Sequence, residues 1–217
     1  MLNKIFNPEN GLWRLLGILA DILIFSAMWL LCAVTVVGLG PGTTALYDAM
    51  ARCVRKGKQG GYVRFWESLK ANFKVACPVG VLIVVLGYGI VKLRGVLFEA
   101  ARTGDSAMLM LYMAFWVCFV VLCGIGAYIF PVLSRFTFGV GGLLSTSVKL
   151  ALAHPLTTLL LGLLTAGCIL LSVAFWMWMV WLVLPYVWAL LASLLLERVF
   201  KPFMEGQGGA QETERAD

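Results

Sequence analysis

Long stretches of this chain carry no charge, and where charges occur they occur in clusters. A helix crossing a hydrocarbon layer about 30 Å thick needs about 20 apolar residues. Largely apolar runs of that order lie at residues 15–38, 75–95 and 107–133, and from Pro155 to Leu196. The first is broken only by Asp21, the second is closed by Lys92 and Arg94, and the third ends at Pro131 and Arg135. The last has no charge at all. As one helix it would reach roughly 60 Å, twice the membrane, so it predicts two spans at about 155–175 and 179–198. Phe175, Trp176, Trp178 and Trp181 mark the turn between them, because a Trp ring is apolar while its N–H prefers the wet headgroup layer. Pro155 suits the first turn of its helix, where a missing N–H removes no bond. The pattern predicts an all-α membrane protein of about five transmembrane helices, with residues 1–202 as one integral membrane domain. A four-span version, with the last run partly re-entrant, is the alternative. The tail 203–217, rich in Gly, Gln and Glu, predicts a disordered cytoplasmic end.

Between the first two spans the pattern changes. Residues 43–74 are too long for a turn and read as two short amphipathic cytoplasmic helices. Thr43 or Thr44 caps the first, whose Leu46, Met50, Cys53 and Val54 recur at helical spacing, with Asp48 and Arg52 one turn apart and able to pair. Glycines 57, 60 and 61 break the pattern. The second helix sets Phe65, Trp66, Leu69 and Phe73 among Arg64, Glu67, Lys70 and Lys74. Such a pair beside a membrane is built for an interface, with rings at the acyl boundary and cations on anionic headgroups. The surface formed by Arg52, Arg55, Lys56, Arg64, Phe65, Trp66, Lys70, Phe73 and Lys74 is therefore a candidate for lipid anchoring or for docking a partner. The Gly38 and Gly42 spacing, with Pro41 inside it, is a weak signal for a helix-dimer face.

Composition narrows the choice. Of 217 residues, 61% are hydrophobic and 13% charged, and the mean hydropathy is +0.93. That excludes a soluble enzyme, a nucleic-acid-binding domain and a secreted disulfide scaffold, each of which needs a charged surface. The net charge of +6 points to anionic lipid rather than nucleic acid. Arg52, Arg55, Lys56, Lys58, Arg64, Lys70 and Lys74 place the first long loop in the cytoplasm by the positive-inside tendency. Five spans then put the N-terminus outside and the C-terminus inside. The first apolar stretch is too long for a cleaved signal and predicts an anchor that stays. The cysteines, scattered without short pairings, read as small buried hydrophobes.

Candidate chemistry is sparse. Asp21 is the one carboxylate inside a span and calls for a partner; Lys92 and Arg94 approach the same expected level, so the sequence predicts an intramembrane polar pair of Asp21 with one of them. His154 is the sole histidine and reads as an interfacial residue. No paired carboxylates, Ser/His/Asp set or metal-ligand spacing is present, so no catalytic residue, metal or cofactor is expected and the chain reads as non-enzymatic.

Two passages carry a resemblance. The run TVVGLGPGTTALY from Thr35 to Tyr47, followed by FWESLKANFK from Phe65 to Lys74, resembles the signature region of the YesL-type bacterial integral membrane proteins. The segment AHPLTT from Ala153 to Thr158 is similar too. The specific likeness covers roughly residues 10–80. It implies a protein of the bacterial cytoplasmic membrane associated with carbohydrate uptake, as an accessory partner of an ABC transporter permease or another membrane protein, and it assigns no catalytic residue. The competing expectation is a small oligomeric transporter or channel using Asp21 with Lys92 or Arg94. The sequence fixes neither substrate nor oligomeric state.

Overall fold

The computed structural model describes residues 11–56, 60–102, 106–174 and 178–214, and among them every regular element is helical. Helix α1 is Gly11–Val34, and a 3-10 turn at Val36–Gly38 leads into α2, Leu39–Arg52. After a second 3-10 turn, Val54–Lys56, come α3 (Gly61–Ala101), α4 (Ser106–Arg135), α5 (Val140–Ala153), α6 (Pro155–Ala174) and α7 (Trp178–Glu214). Four helices are long and apolar enough to cross a membrane: α3, α4, α6 and the Val183–Lys201 part of α7. In α1 the apolar part is the shorter run Leu19–Val34. The hairpin expected within the long charge-free interval is present as α6 and α7. Residues 175–177 between them, and the aromatic side chains expected to mark the turn, lie outside the described residues.

Residues 43–74 fold differently from expectation. The second amphipathic helix is not separate: it is the first third of α3, continuous through Pro78 with the following span. Gly60 allows the sharp entry to α3, its φ of 91° lying in the left-handed region that only glycine adopts without strain. The first amphipathic helix exists as α2, but it does not lie on a surface. Every residue from Gly40 to Ala51 is buried. Thr43 and Thr44 do not cap it either; their hydroxyls donate back to the carbonyls of Leu39 (2.7 Å) and Gly40 (3.1 Å) inside a helix that has already begun. Small residues explain the burial. A Cβ on Gly40 would stand 2.2 Å from the Ala76 carbonyl oxygen, and one on Gly80 would stand 2.9 Å from Gly40. The two backbones therefore meet with no side chain between them. Gly42 fits against Cys32 in the same way, so these glycines serve contacts within the chain rather than a dimer face.

Contacts also fix the direction of α1. Phe25 stacks on Tyr62 with ring centroids 4.8 Å apart and lies next to Gly61, Trp29 donates to Thr43 Oγ1 at 3.0 Å, and Gly38–Leu39 leads to Gly40 beside Ala76. Helix α1 is thus antiparallel to α2 and parallel to the first half of α3. Five consecutive crossings require α1 and α3 to run oppositely, so the expected placement of α1 as a span opposed to α3 is replaced by a helical hairpin, α1 with α2, whose open end lies at Gly61.

Elsewhere α4 and α6 cross through Gly124 and Gly162, each facing a backbone carbonyl of the other helix, of Thr158 and Val120 respectively. One cluster, around Tyr47, Tyr128, Leu143, Leu161 and Leu196, joins α2, α4, α5, α6 and α7. A second, around Phe25, Leu46, Met50, Phe65 and Tyr186, joins the hairpin to α3 and α7. Helix α7 continues through Glu214, so the backbone of 203–214 is helical where disorder was expected. A packed helix extends at little cost once nucleated.

Candidate functional site

The charges of α2 and of the start of α3 converge on one buried carboxylate. Asp48, whose side chain is 1% exposed, accepts from Arg52 Nε through Oδ1 and from Arg64 Nε through Oδ2, both at 2.6 Å. The first contact follows from the i,i+4 spacing on α2. The second crosses from α3 and is made possible by the close Gly40–Gly80 approach that draws the helices together. Each arginine has further donors: Arg52 Nη2 reaches the Ser134 carbonyl at the end of α4 (3.1 Å), and Arg64 Nη1 stands 3.7 Å from the exposed Glu67. Sharing one carboxylate between two guanidiniums satisfies a charge that would otherwise be strongly unfavourable in the interior.

A second pair lies beside it. Arg135, 6% exposed, donates through Nη2 to Glu197 of α7 at 2.5 Å, while its Nε has no partner among the described residues. Arg55 donates to the Ser193 carbonyl at 2.7 Å. The Tyr47 hydroxyl, buried beside these charges, has no partner among the described residues. Burial first, then the Glu197 carboxylate, pushes its phenol well above the ordinary range, so it stays neutral. Sequence reasoning placed Arg135 at the cytoplasmic end of a span and did not single out Glu197. The one signal was an acid and a base at the ends of two predicted spans on the same side of the membrane.

Between the first half of α3 and the end of α4 runs a cleft of about 270 Å³, whose walls include Arg52, Arg64, Arg135, Ser68, Asn72 and Thr137. Asn72 donates to the Ser68 carbonyl at 2.9 Å, which holds its amide in the wall.

The other residues predicted for the cytoplasmic surface divide by face. Phe65 is fully buried in the core beneath α2, whereas Trp66, Lys70, Phe73 and Lys74 are exposed, with Tyr62 and Val63, on the opposite side of α3. The predicted single aromatic face is therefore split, one ring inward and two outward with the lysines. The Lys56 side chain lies outside the described residues.

Asp21 does not join Lys92 or Arg94. Its Oδ1 accepts from the Tyr62 hydroxyl at 2.5 Å, and Tyr62 precedes Lys92 by roughly 45 Å of α3. Lys92 lies over the Tyr88 ring and Arg94 over Trp116, at 5.3 and 6.0 Å from the ring centroids. The parallel course of α1 puts Asp21 at the opposite end of α3 from those cations.

Comparison with known proteins gives one family. Residues 22–91, covering most of α1, all of α2 and the greater part of α3, match DUF624, described as a protein of unknown function; this is the YesL-type family. No curated protein and no solved structure matches the chain.

Proposed function

Starting from a DUF624 segment that coincides with the α1–α2 hairpin and its seat on α3, we propose that the protein is a non-enzymatic accessory subunit of the bacterial cytoplasmic membrane. Its partner is the permease of a carbohydrate ABC transporter, and it docks through the exposed face at the start of α3. The observation that carries this is the stripe Tyr62, Val63, Trp66, Lys70, Phe73 and Lys74, all exposed on a helix whose other side is packed against α2. At 100° per residue these positions fall within about a third of the helix circumference. They combine aromatic rings, which are enriched at contact surfaces, with lysines suited to the anionic headgroup layer beside them. The link to carbohydrate uptake rests on the family resemblance.

The same reading has four crossings, α3, α4, α6 and α7, with the α1–α2 hairpin entering and leaving on the cytoplasmic side. Both termini are then cytoplasmic. The charge distribution supports this arrangement over five crossings, because Lys4 and Arg14 move to the inner side and only Lys92, Arg94 and Arg102 remain outside.

The test is site-specific photocrosslinking from positions 66 and 73 in native membranes. A permease subunit captured there, and lost on the combined Trp66→Ala and Lys70→Glu substitutions in protein that still folds, supports docking. Crosslinks to lipid alone from both positions would remove the partner and leave an interfacial anchor.

A further inference from the structure

We propose that the cleft between α3 and α4 is an anion site that takes a phosphate group. This goes beyond the docking reading and does not depend on it, since the stripe and the cleft occupy different faces of α3.

Three arginines from three elements, Arg52 of α2, Arg64 of α3 and Arg135 at the end of α4, line one opening. Their arrangement is not that of ion pairs turned toward water. Asp48 takes the Nε–H of Arg52 and of Arg64 from below, a contact that fixes both guanidiniums; the Ser134 carbonyl takes Arg52 Nη2, and the remaining Nη groups are left to a ligand. Arg64 Nη1 has only a 3.7 Å approach to an exposed Glu67. Arg135 is buried and lines the same cleft, held by Glu197 through Nη2. Ser68, Asn72 and Thr137 supply neutral polar groups along the same walls.

The charges around the opening favour an anion over a cation. Of the charged residues lining the opening, Arg52, Arg64 and Arg135 outnumber Glu67, and Asp48 and Glu197 behind them are each already engaged by arginine. The size limits the ligand. At about 270 Å³ the cleft falls just below the roughly 300–1,000 Å³ of pockets for drug-sized ligands, so it suits one phosphate and a short polar attachment. Arginine recognises phosphate by paired, charge-assisted N–H donors, which lysine does not reproduce. Both a lipid headgroup and a soluble phosphate ester present this chemistry.

The experiment uses the purified full-length protein. In the soluble arm, inorganic phosphate and glycerol 3-phosphate are titrated in neutral detergent and binding is read by calorimetry. In the lipid arm, native mass spectrometry compares lipid retained from phosphatidylglycerol and phosphatidylcholine nanodiscs. Two variants alter the cleft without replacing an arginine: Ala71→Trp fills it from an exposed position in its wall, and Asn72→Leu removes a polar group from that wall. The expected result is saturable binding of either soluble probe, or selective retention of phosphatidylglycerol, weakened about tenfold or more in both variants. Binding confined to the soluble probes identifies a free ester as the source; retention confined to the lipid identifies a headgroup. No binding in either arm, or binding unchanged in both variants, overturns the proposal.

Discussion

Asp48 shows how much one side chain can hold. Its two oxygens join α2 to itself through Arg52 and to α3 through Arg64, and Arg52 then reaches the end of α4. Replacing it with Asn leaves two guanidiniums without a counter-charge at a buried position. The expected loss is about 3 kcal/mol, near the lower end for breaking a buried pair because both arginines keep about a third of their surface exposed. Equilibrium unfolding in micelles measures it, and a change below about 0.5 kcal/mol would mean that the pairing is incidental. Asp21 makes a different case. A double-mutant cycle of Asp21→Asn with Tyr62→Phe should be non-additive, and one of Asp21→Asn with Lys92→Gln should be additive within about 0.5 kcal/mol. At this scale the sequence was partly legible. The Asp48–Arg52 spacing was readable because both residues lie on one helix. Arg64 as the second partner was not, because its approach depends on how two helices cross. The pairing predicted for Asp21 assumed the direction of α1, which residue types alone do not reveal.

At the level of helices, glycine decides which pairs approach. Gly40 and Gly80 meet backbone to backbone, and Gly124 and Gly162 do the same where α4 crosses α6. A methyl group on Gly40 would be forced against the Ala76 carbonyl, so Gly40→Ala should destabilise by about 2 kcal/mol through separation of α2 from α3. Gly87→Ala is the control: nothing lies within 4 Å of the added Cβ, and better helix propensity predicts a neutral or favourable change. Thermal unfolding of the two variants side by side checks both signs. The long helices were legible from their apolar runs, and the break between α6 and α7 from the length of a charge-free interval. Helix α2 was misread for a physical reason. A short helix bearing Asp48 and Arg52 has the pattern of a surface element, and only the partners supplied by α3 and α4 make burial of those charges tolerable. The fusion of the second amphipathic segment with the next span was hidden because a change from polar to apolar composition does not require a break in the helix. The helical backbone after Phe203 was hidden because low hydrophobicity argues against independent folding, not against extension of a helix already packed.

For the molecule as a whole, the hairpin of α1 with α2 organises the cationic end. It brings Asp48 beneath Arg64, presents the outer face of α3, and leaves the cleft between α3 and α4 open. The parallel course of α1 and α3 is the claim from which the rest follows, since under the proposed topology it puts the residues before α1 on the same side of the membrane as the start of α3. The most direct measurement is labelling of single cysteines, introduced into a cysteine-free background at positions 3, 58 and 102, with an impermeant maleimide. In intact cells only position 102 should react, and positions 3 and 58 should react together once the membrane is permeabilised. Reaction of position 3 from outside, with position 58 still protected, would show that α1 crosses in the direction opposite to α3 and would contradict the account.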